Sequence, residues 1–140
     1  MNVQKNIINY GYNMKLIIAG SRDFNNKKLL FSKVDEIKNS LNISEIVSGT
    51  ANGADTLGEQ YAQENNLKCT EFPADWNLYG KGAGHIRNKN MAEYSDYCIV
   101  FWNGYSKGTK NMIQTMKKLN KPVITINYNE PDEFDDFNEF

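Results

Sequence analysis

The sequence has little that binds metal. It holds two cysteines, one histidine and three prolines in 140 residues. Cys69 and Cys98 stand 29 positions apart in apolar, strand-like contexts without CxxC spacing, so each reads as a buried, inert thiol. A zinc site needs roughly four clustered ligands. Two separated cysteines and His85 do not supply them, and neither a metal nor a cofactor is expected. No run of about 18 apolar residues is present, which excludes a membrane-spanning helix on sequence grounds. The opening MNVQKNIINYGYN has no long apolar stretch of the kind a secretion signal needs, so a cytoplasmic protein is expected. Charge of one sign is not in excess either: 16 basic and 17 acidic side chains give −1. That balance argues against a globally basic nucleic-acid binder and makes nucleic acid an unexpected partner. Two phosphate signatures are missing as well. Without GxGxxG there is no NAD fingerprint, and without GxxxxGK[ST] there is no sign of ATP hydrolysis.

What is present fits one domain. The charge is uneven along it. NEPDEFDDFNEF, residues 129–140, carries six acids and no base, which leaves the rest with 16 basic and 11 acidic residues, net +5. This tail reads either as a solvated, frayed end or, through Phe134, Phe137 and Phe140, as a segment able to dock on a basic groove. Residues 1–13 read as an extension, and 14–128 as the folded domain. Inside it, short apolar runs alternate with helical spacing. KLIIA (15–19), SEIVS (44–48), 68–72, YCIVFW (97–102) and PVITI (122–126) read as strands, with YCIVFW as the central one. Helices are expected over 27–41, 54–65, 86–94 and 109–119, with a loop of about ten residues before the third. Alternation of this kind implies an α/β, Rossmann-like doubly wound fold of about five mainly parallel strands with helices on both faces. Ligands of such sheets sit beyond the carboxyl ends of the strands.

Four strand-end loops carry residues suited to phosphate. In the first, Gly20 permits a tight turn, Ser21 offers a hydroxyl, Arg22 offers a planar cation, and Asp23 follows. The second holds Gly49, Thr50, Asn52 and Gly53 at the start of a helix, where backbone N–H groups can meet an anion. Asp55 in that helix's first turn would occupy its positive end or orient a ligand hydroxyl. The third runs from Asp75 and Trp76 through three glycines to His85, Arg87 and Asn88. Trp76 either covers a base or plugs the core, and His85 is either a surface group or a ligand contact. The fourth presents Ser106, Lys107, Gly108 and Thr109 at a helix start. Each loop also has a plain structural explanation, as a turn with a cap. Together, at four strand ends, they point to a shared ligand site.

These loops, in this order, resemble the YspA-like branch of the SLOG superfamily, which also includes the LOG enzymes and the DNA-processing protein DprA. The matching segments are GSRD (20–23), SGTANGAD (48–55), PADW (73–76), RNKNM (87–91) and GYSKGT (104–109). The resemblance implies a Rossmann-like fold, a nucleotide or nucleotide-derived ligand at these loops, and a homodimer or larger assembly of bacterial or phage origin. In LOG enzymes an arginine and a glutamate cleave a base from a ribose 5'-monophosphate. Arg87 matches the arginine. The glutamate is lost, because Lys110, Asn111, Met112 and Ile113 follow Gly108-Thr109. The expectation is therefore a protein that binds an ADP-ribose-like molecule as sensor or sequestering agent, with no established enzyme activity. One alternative is an N-glycoside hydrolase using a non-standard carboxylate, for which Asp75 and Glu93 are candidates beside Asp23 and Asp55. The other is DprA-like binding of single-stranded DNA.

Overall fold

A computed structural model describes residues 13–129. Five strands and five helices alternate: β1 (Met14–Gly20), α1 (Lys27–Ser40), β2 (Ile43–Ser48), α2 (Ala54–Glu64), β3 (Lys68–Glu71), α3 (Trp76–Tyr79), α4 (Ala83–Tyr94), β4 (Tyr97–Trp102), α5 (Lys107–Lys118) and β5 (Val123–Asn127). All strand pairs are parallel, in the order β3-β2-β1-β4-β5. The doubly wound architecture expected from the sequence is therefore the one the chain adopts. The middle strand is β1; YCIVFW (β4) lies one place off centre.

Period-two side chains divide the interior into two layers. Leu16, Ile18, Ile99 and Phe101 face one way and pack with Leu30, Val34 and Ile37 of α1 and Tyr61 of α2. Ile17, Ala19, Cys98 and Val100 face the other way, onto Met91 of α4 and Met112, Ile113 and Met116 of α5. The i, i+4, i+7 spacing of Leu30, Val34 and Ile37 is what gives α1 its single buried stripe. Asn26 starts that helix by accepting from the Leu29 N–H at 3.0 Å, a side-chain cap of the usual kind. Gly58 lets α2 lie close on the sheet, since a Cβ there would stand 2.8 Å from the Ile18 Cβ.

The segment expected as a ten-residue loop is partly helical. Asp75 accepts from the Leu78 N–H at 3.0 Å and caps α3, and a 3₁₀ turn over Gly80–Gly82 leads into α4 three residues earlier than its apolar pattern begins. The helix starts among glycines because the turn before it, not glycine's propensity, orders them. The acidic tail beyond residue 129 and the extension before residue 13 lie outside the described residues.

The order of the strands fixes where a ligand can sit. The chain winds from β1 outward to β3, then crosses back to β4 on the other side. Loops therefore diverge beyond the carboxyl ends of β1 and β4, and a crevice opens there.

Candidate functional site

The crevice is a cleft of about 580 Å³ that all four loops help to line. Its floor is built by mutual ties between the loops. Gly20 ends β1 pressed on β4, where a Cβ would stand 2.3 Å from the Phe101 carbonyl oxygen. The buried Ser21 donates its N–H to that carbonyl at 2.9 Å, and its Oγ accepts from the Asn103 N–H at 3.0 Å. The serine hydroxyl expected to meet phosphate is thus engaged in holding β1's loop to β4's. Asp23 accepts from Tyr128 Oη at 2.5 Å and Asn103 Nδ2 at 3.4 Å. The tyrosine hydrogen bond holds its carboxyl below the ordinary carboxylate range.

The second loop is fastened from below. Ser48 Oγ donates to Glu59 at 2.6 Å and accepts from the Thr50 N–H at 3.0 Å. Gly53 adopts φ 81°, and a Cβ there would lie 2.4 Å from the Ser21 carbonyl oxygen, so this position excludes other residues twice over. Asp55 is 4% exposed. Its carboxyl accepts from the Ala51 N–H at 3.1 Å and from the Gly20 N–H, which joins loops one and two. Burial raises its pKa to about 6, against the pull of those N–H groups and of Arg87.

Arg87 projects from α4 across this floor. Its Nη1 donates to the Gly49 carbonyl oxygen, and its Nε donates to Asn88 Oδ1 at 3.0 Å. A Cβ at Gly49 would sit 2.6 Å from Arg87 Nη1 and 2.9 Å from Asp55 Oδ2, so a larger residue there would displace the ends of these two side chains. Burial lowers the guanidinium's pKa, Asp55 opposes the shift, and Arg22 adds to it. The buried Asn88 donates to the Gly108 carbonyl at 3.2 Å and to Asn111 at 2.9 Å, binding the third loop to the fourth. Ser106 caps α5 through the Thr109 N–H at 3.2 Å and touches the Thr109 hydroxyl at 3.0 Å.

Of the residues selected from sequence, the main cleft gathers Gly20, Ser21, Arg22, Asp23, Asp55, Trp76, Arg87, Asn88, Ser106, Gly108 and Thr109. Gly49, Thr50 and Asn52 line a smaller cavity next to it. Gly53, Asp75, Glu93 and Lys107 line neither. Asp75 is an exposed cap. Glu93 is exposed near the far end of α4, where Lys121 Nζ bonds its backbone carbonyl at 3.1 Å. Lys107 points outward from the first turn of α5. Two polar lining residues, Lys81 and Asn103, lie outside the sequence-based selection, and His85, open between surface and ligand in sequence, lines the cleft as well. Lys81 and His85 are four apart, a helical spacing that becomes visible only once the glycine-rich stretch is seen to be helical.

The cleft therefore carries three cations, Arg22, Lys81 and Arg87. Its two lining carboxylates are both engaged, Asp23 with Tyr128 and Asp55 with backbone N–H groups. The side chains of Arg22, Lys81 and His85 line the cleft and have no hydrogen-bond or ion-pair partner among the described residues. Among the described residues no three His, Cys, Asp or Glu side chains converge as a metal would need, and no helix is long and apolar enough to cross a membrane.

Comparison with known proteins agrees with this geometry at the level of fold. The chain is similar in structure to DprA from Streptococcus pneumoniae (TM-score 0.64, 18% identity, 82% of this chain and 50% of that one). It spans only half the length of that protein. It is also similar to DprA from Helicobacter pylori (TM-score 0.62, 22% identity, 92% of this chain and 73% of that one), whose structure concerns a single-stranded DNA binding mode. That neighbour corrects one expectation. Near-neutral charge makes nucleic acid an unexpected partner, yet a protein of this fold binds a single strand, because contacts to phosphates depend on a local cationic site and not on net charge. In sequence, the chain is 32% identical to the Gene 61 protein of Mycobacterium phage D29 over 119 residues, 80% of this chain and 95% of that one. A family model described as YspA, cpYpsA-related SLOG matches residues 14–79, the stretch that holds the first two loops and the Asp75-Trp76 pair. With a relative this similar over nearly all of its length and the family's own pattern in its first half, the chain belongs to the YspA, cpYpsA-related SLOG family.

Proposed function

We propose that the cleft binds a phosphorylated nucleotide or nucleotide-derived molecule, ADP-ribose-like in kind, and that the protein senses or sequesters it. One observation carries this reading: Arg22, Lys81 and Arg87 line one cleft at the β1–β4 switch point, three cations against the two carboxylates Asp23 and Asp55, and Arg22 and Arg87 are close enough to repel each other. At about 580 Å³ the cleft falls within the range of small-molecule sites, roughly 300–1,000 Å³. Hydrogen bonds to the Gly49 carbonyl and Asn88 hold Arg87 in place before any ligand arrives, which lowers the ordering cost of its contact.

Calorimetric titration with nucleoside monophosphates and ADP-ribose tests this. Arg22→Ala is the cleaner variant because Arg22 is exposed and its side chain has no protein partner to lose among the described residues. A charge-assisted phosphate contact is worth about 1.5–3 kcal/mol, so affinity should drop roughly tenfold or more. Arg87→Ala should lose at least as much, and it should also lower the melting temperature, since Arg87 holds the Gly49 carbonyl. Lys107→Ala, outside the cleft, serves as the control. Unchanged affinity in both arginine variants would sink the assignment.

A second reading rests on the DprA neighbour that binds single-stranded DNA. The same cations would then take strand phosphates, and affinity for an oligonucleotide would fall steeply with added salt. The hydrolase alternative would need a carboxylate beside the ligand. Asp23 and Asp55 line the cleft, so release of free base that Asp55→Asn abolishes would favour it.

A further inference from the structure

The smaller cavity, of about 230 Å³, has Gly49, Thr50, Asn52, Pro73 and Ala74 as its own walls. Arg22, Ala51, Trp76 and Arg87 belong to both cavities. A free-standing ligand pocket occupies roughly 300–1,000 Å³. The main cleft meets that size and its neighbour does not, so the neighbour makes sense as an annex of one groove. The two guanidiniums and the Trp76 ring mark the junction.

An anion at that junction has space on both sides. A terminal phosphate ends there and fills one side only. A phosphodiester or a diphosphate carries a substituent each way. The annex has walls suited to a nucleoside half. Pro73, Ala74 and the Trp76 ring, 52% exposed, offer apolar surface to a flat ring. The Thr50 hydroxyl and the Asn52 amide have no partner among the described residues, and they can meet a base edge or a sugar. Thr50 is also held at φ 64°, a left-handed conformation that a β-branched residue rarely adopts, with its N–H tied to Ser48. Backbone strain of this kind concentrates at ligand clamps.

We propose that the annex is a second subsite of the groove, and that its ligand is two-sided: a phosphodiester or diphosphate held between Arg22 and Arg87, with a nucleoside in the annex and the remainder in the main cleft. This rests on the nucleotide-site reading above and narrows its ligand class.

The test is calorimetry on the full chain with four probes: AMP, the dinucleoside monophosphate ApA, diadenosine diphosphate and a thymidine dodecamer. At least one of the two-sided probes, ApA or the diphosphate, should bind about tenfold or more tightly than AMP, the worth of one stacked base. Asn52→Ala, and Ala74→Trp as a plug, should each erase that advantage and leave AMP affinity unchanged, with melting curves showing both variants folded. AMP binding as tightly as both two-sided probes, or weakened as much as they are by the annex variants, overturns the subsite and leaves the nucleotide site standing. Failure of every probe overturns both. The dodecamer tells the sources apart. Tighter binding than ApA assigns the phosphodiester to a strand, and equal or weaker binding assigns it to a free molecule. Either result upholds the subsite when the annex variants act as described.

Discussion

Asp55 ties the site to the stability of the fold, and the size of the effect can be worked from its surroundings. Burial raises its pKa from 3.8 to about 6. The native state therefore holds this proton more tightly than the unfolded chain does. Asp55's contribution to stability is full below about pH 3.8 and is lost as pH rises through about 6. A shift of that size corresponds to about 3 kcal/mol at about 1.4 kcal/mol per pKa unit. Other carboxylates run the opposite way. Asp23, held down by Tyr128, and Glu45, held down by the hydroxyls of Thr70 and Tyr94 against its burial, both stabilise the ionised fold. The measurement must therefore isolate Asp55 by difference. Asp55→Asn keeps a carbonyl that can accept from one backbone N–H and leaves the other poorly served, an offset of about 1–3 kcal/mol that does not depend on pH. Urea unfolding of both proteins at pH 4, 5, 6 and 7 gives the comparison. The variant should gain on the wild type by about 2.4 kcal/mol from pH 4 to pH 7, because the unfolded chain's carboxyl is already partly ionised at pH 4. Two parallel stability curves would show that Asp55 titrates as an ordinary surface carboxylate, and would refute a cleft floor built around a desolvated carboxyl.

Three further outcomes follow from single contacts. Gly53→Ala should destabilise the protein by more than about 1 kcal/mol, the usual cost of an alanine forced to positive φ, because it also meets the Ser21 carbonyl; the melting temperature reads it. Ser106→Ala should cost about 1 kcal/mol in chemical denaturation through loss of the α5 cap. Tyr128→Phe should let the Asp23 pKa rise toward its ordinary value, as followed by carboxyl NMR titration, because the largest influence lowering it is gone.

Most of the fold is legible in the sequence because the three inner strands, β1, β2 and β4, are largely buried. A run such as LIIA or CIVF has few other places to go in a 140-residue chain. Helices with a clear apolar stripe, α1 and α5, can be read to within two residues of their ends. The third loop is not legible. Its glycines and exposed aromatics give no periodicity, and its helical turns depend on Asp75 as a cap and on the packing of α4. That irregularity hides Lys81. The position of β1 at the centre is equally invisible, since strand order depends on which crossovers the whole chain can make. A long apolar run in β4 shows only that both of its faces are covered.

The site is legible in outline and misleading in detail, for one physical reason. Sequence alone offers every short polar side chain at a strand end as a ligand contact. In the folded chain most of them serve each other: Ser21 with Asn103, Asp55 with Ala51 and Gly20, Asn88 with Gly108 and Asn111, Ser106 with Thr109. Diverging loops leave backbone N–H and carbonyl groups away from the ladder, and buried polar groups must find partners. Hydroxyls, amides and a carboxylate of short reach are the partners at hand. The longer side chains of Arg22 and Lys81 line the cleft outside this network, while Arg87 lines it and is also tied into the network through Gly49 and Asn88. Rigidity and recognition are therefore divided largely by side-chain length, with Arg87 serving both. Changes to the short residues should show first in stability, changes to Arg22 and Lys81 first in affinity, and Arg87→Ala in both.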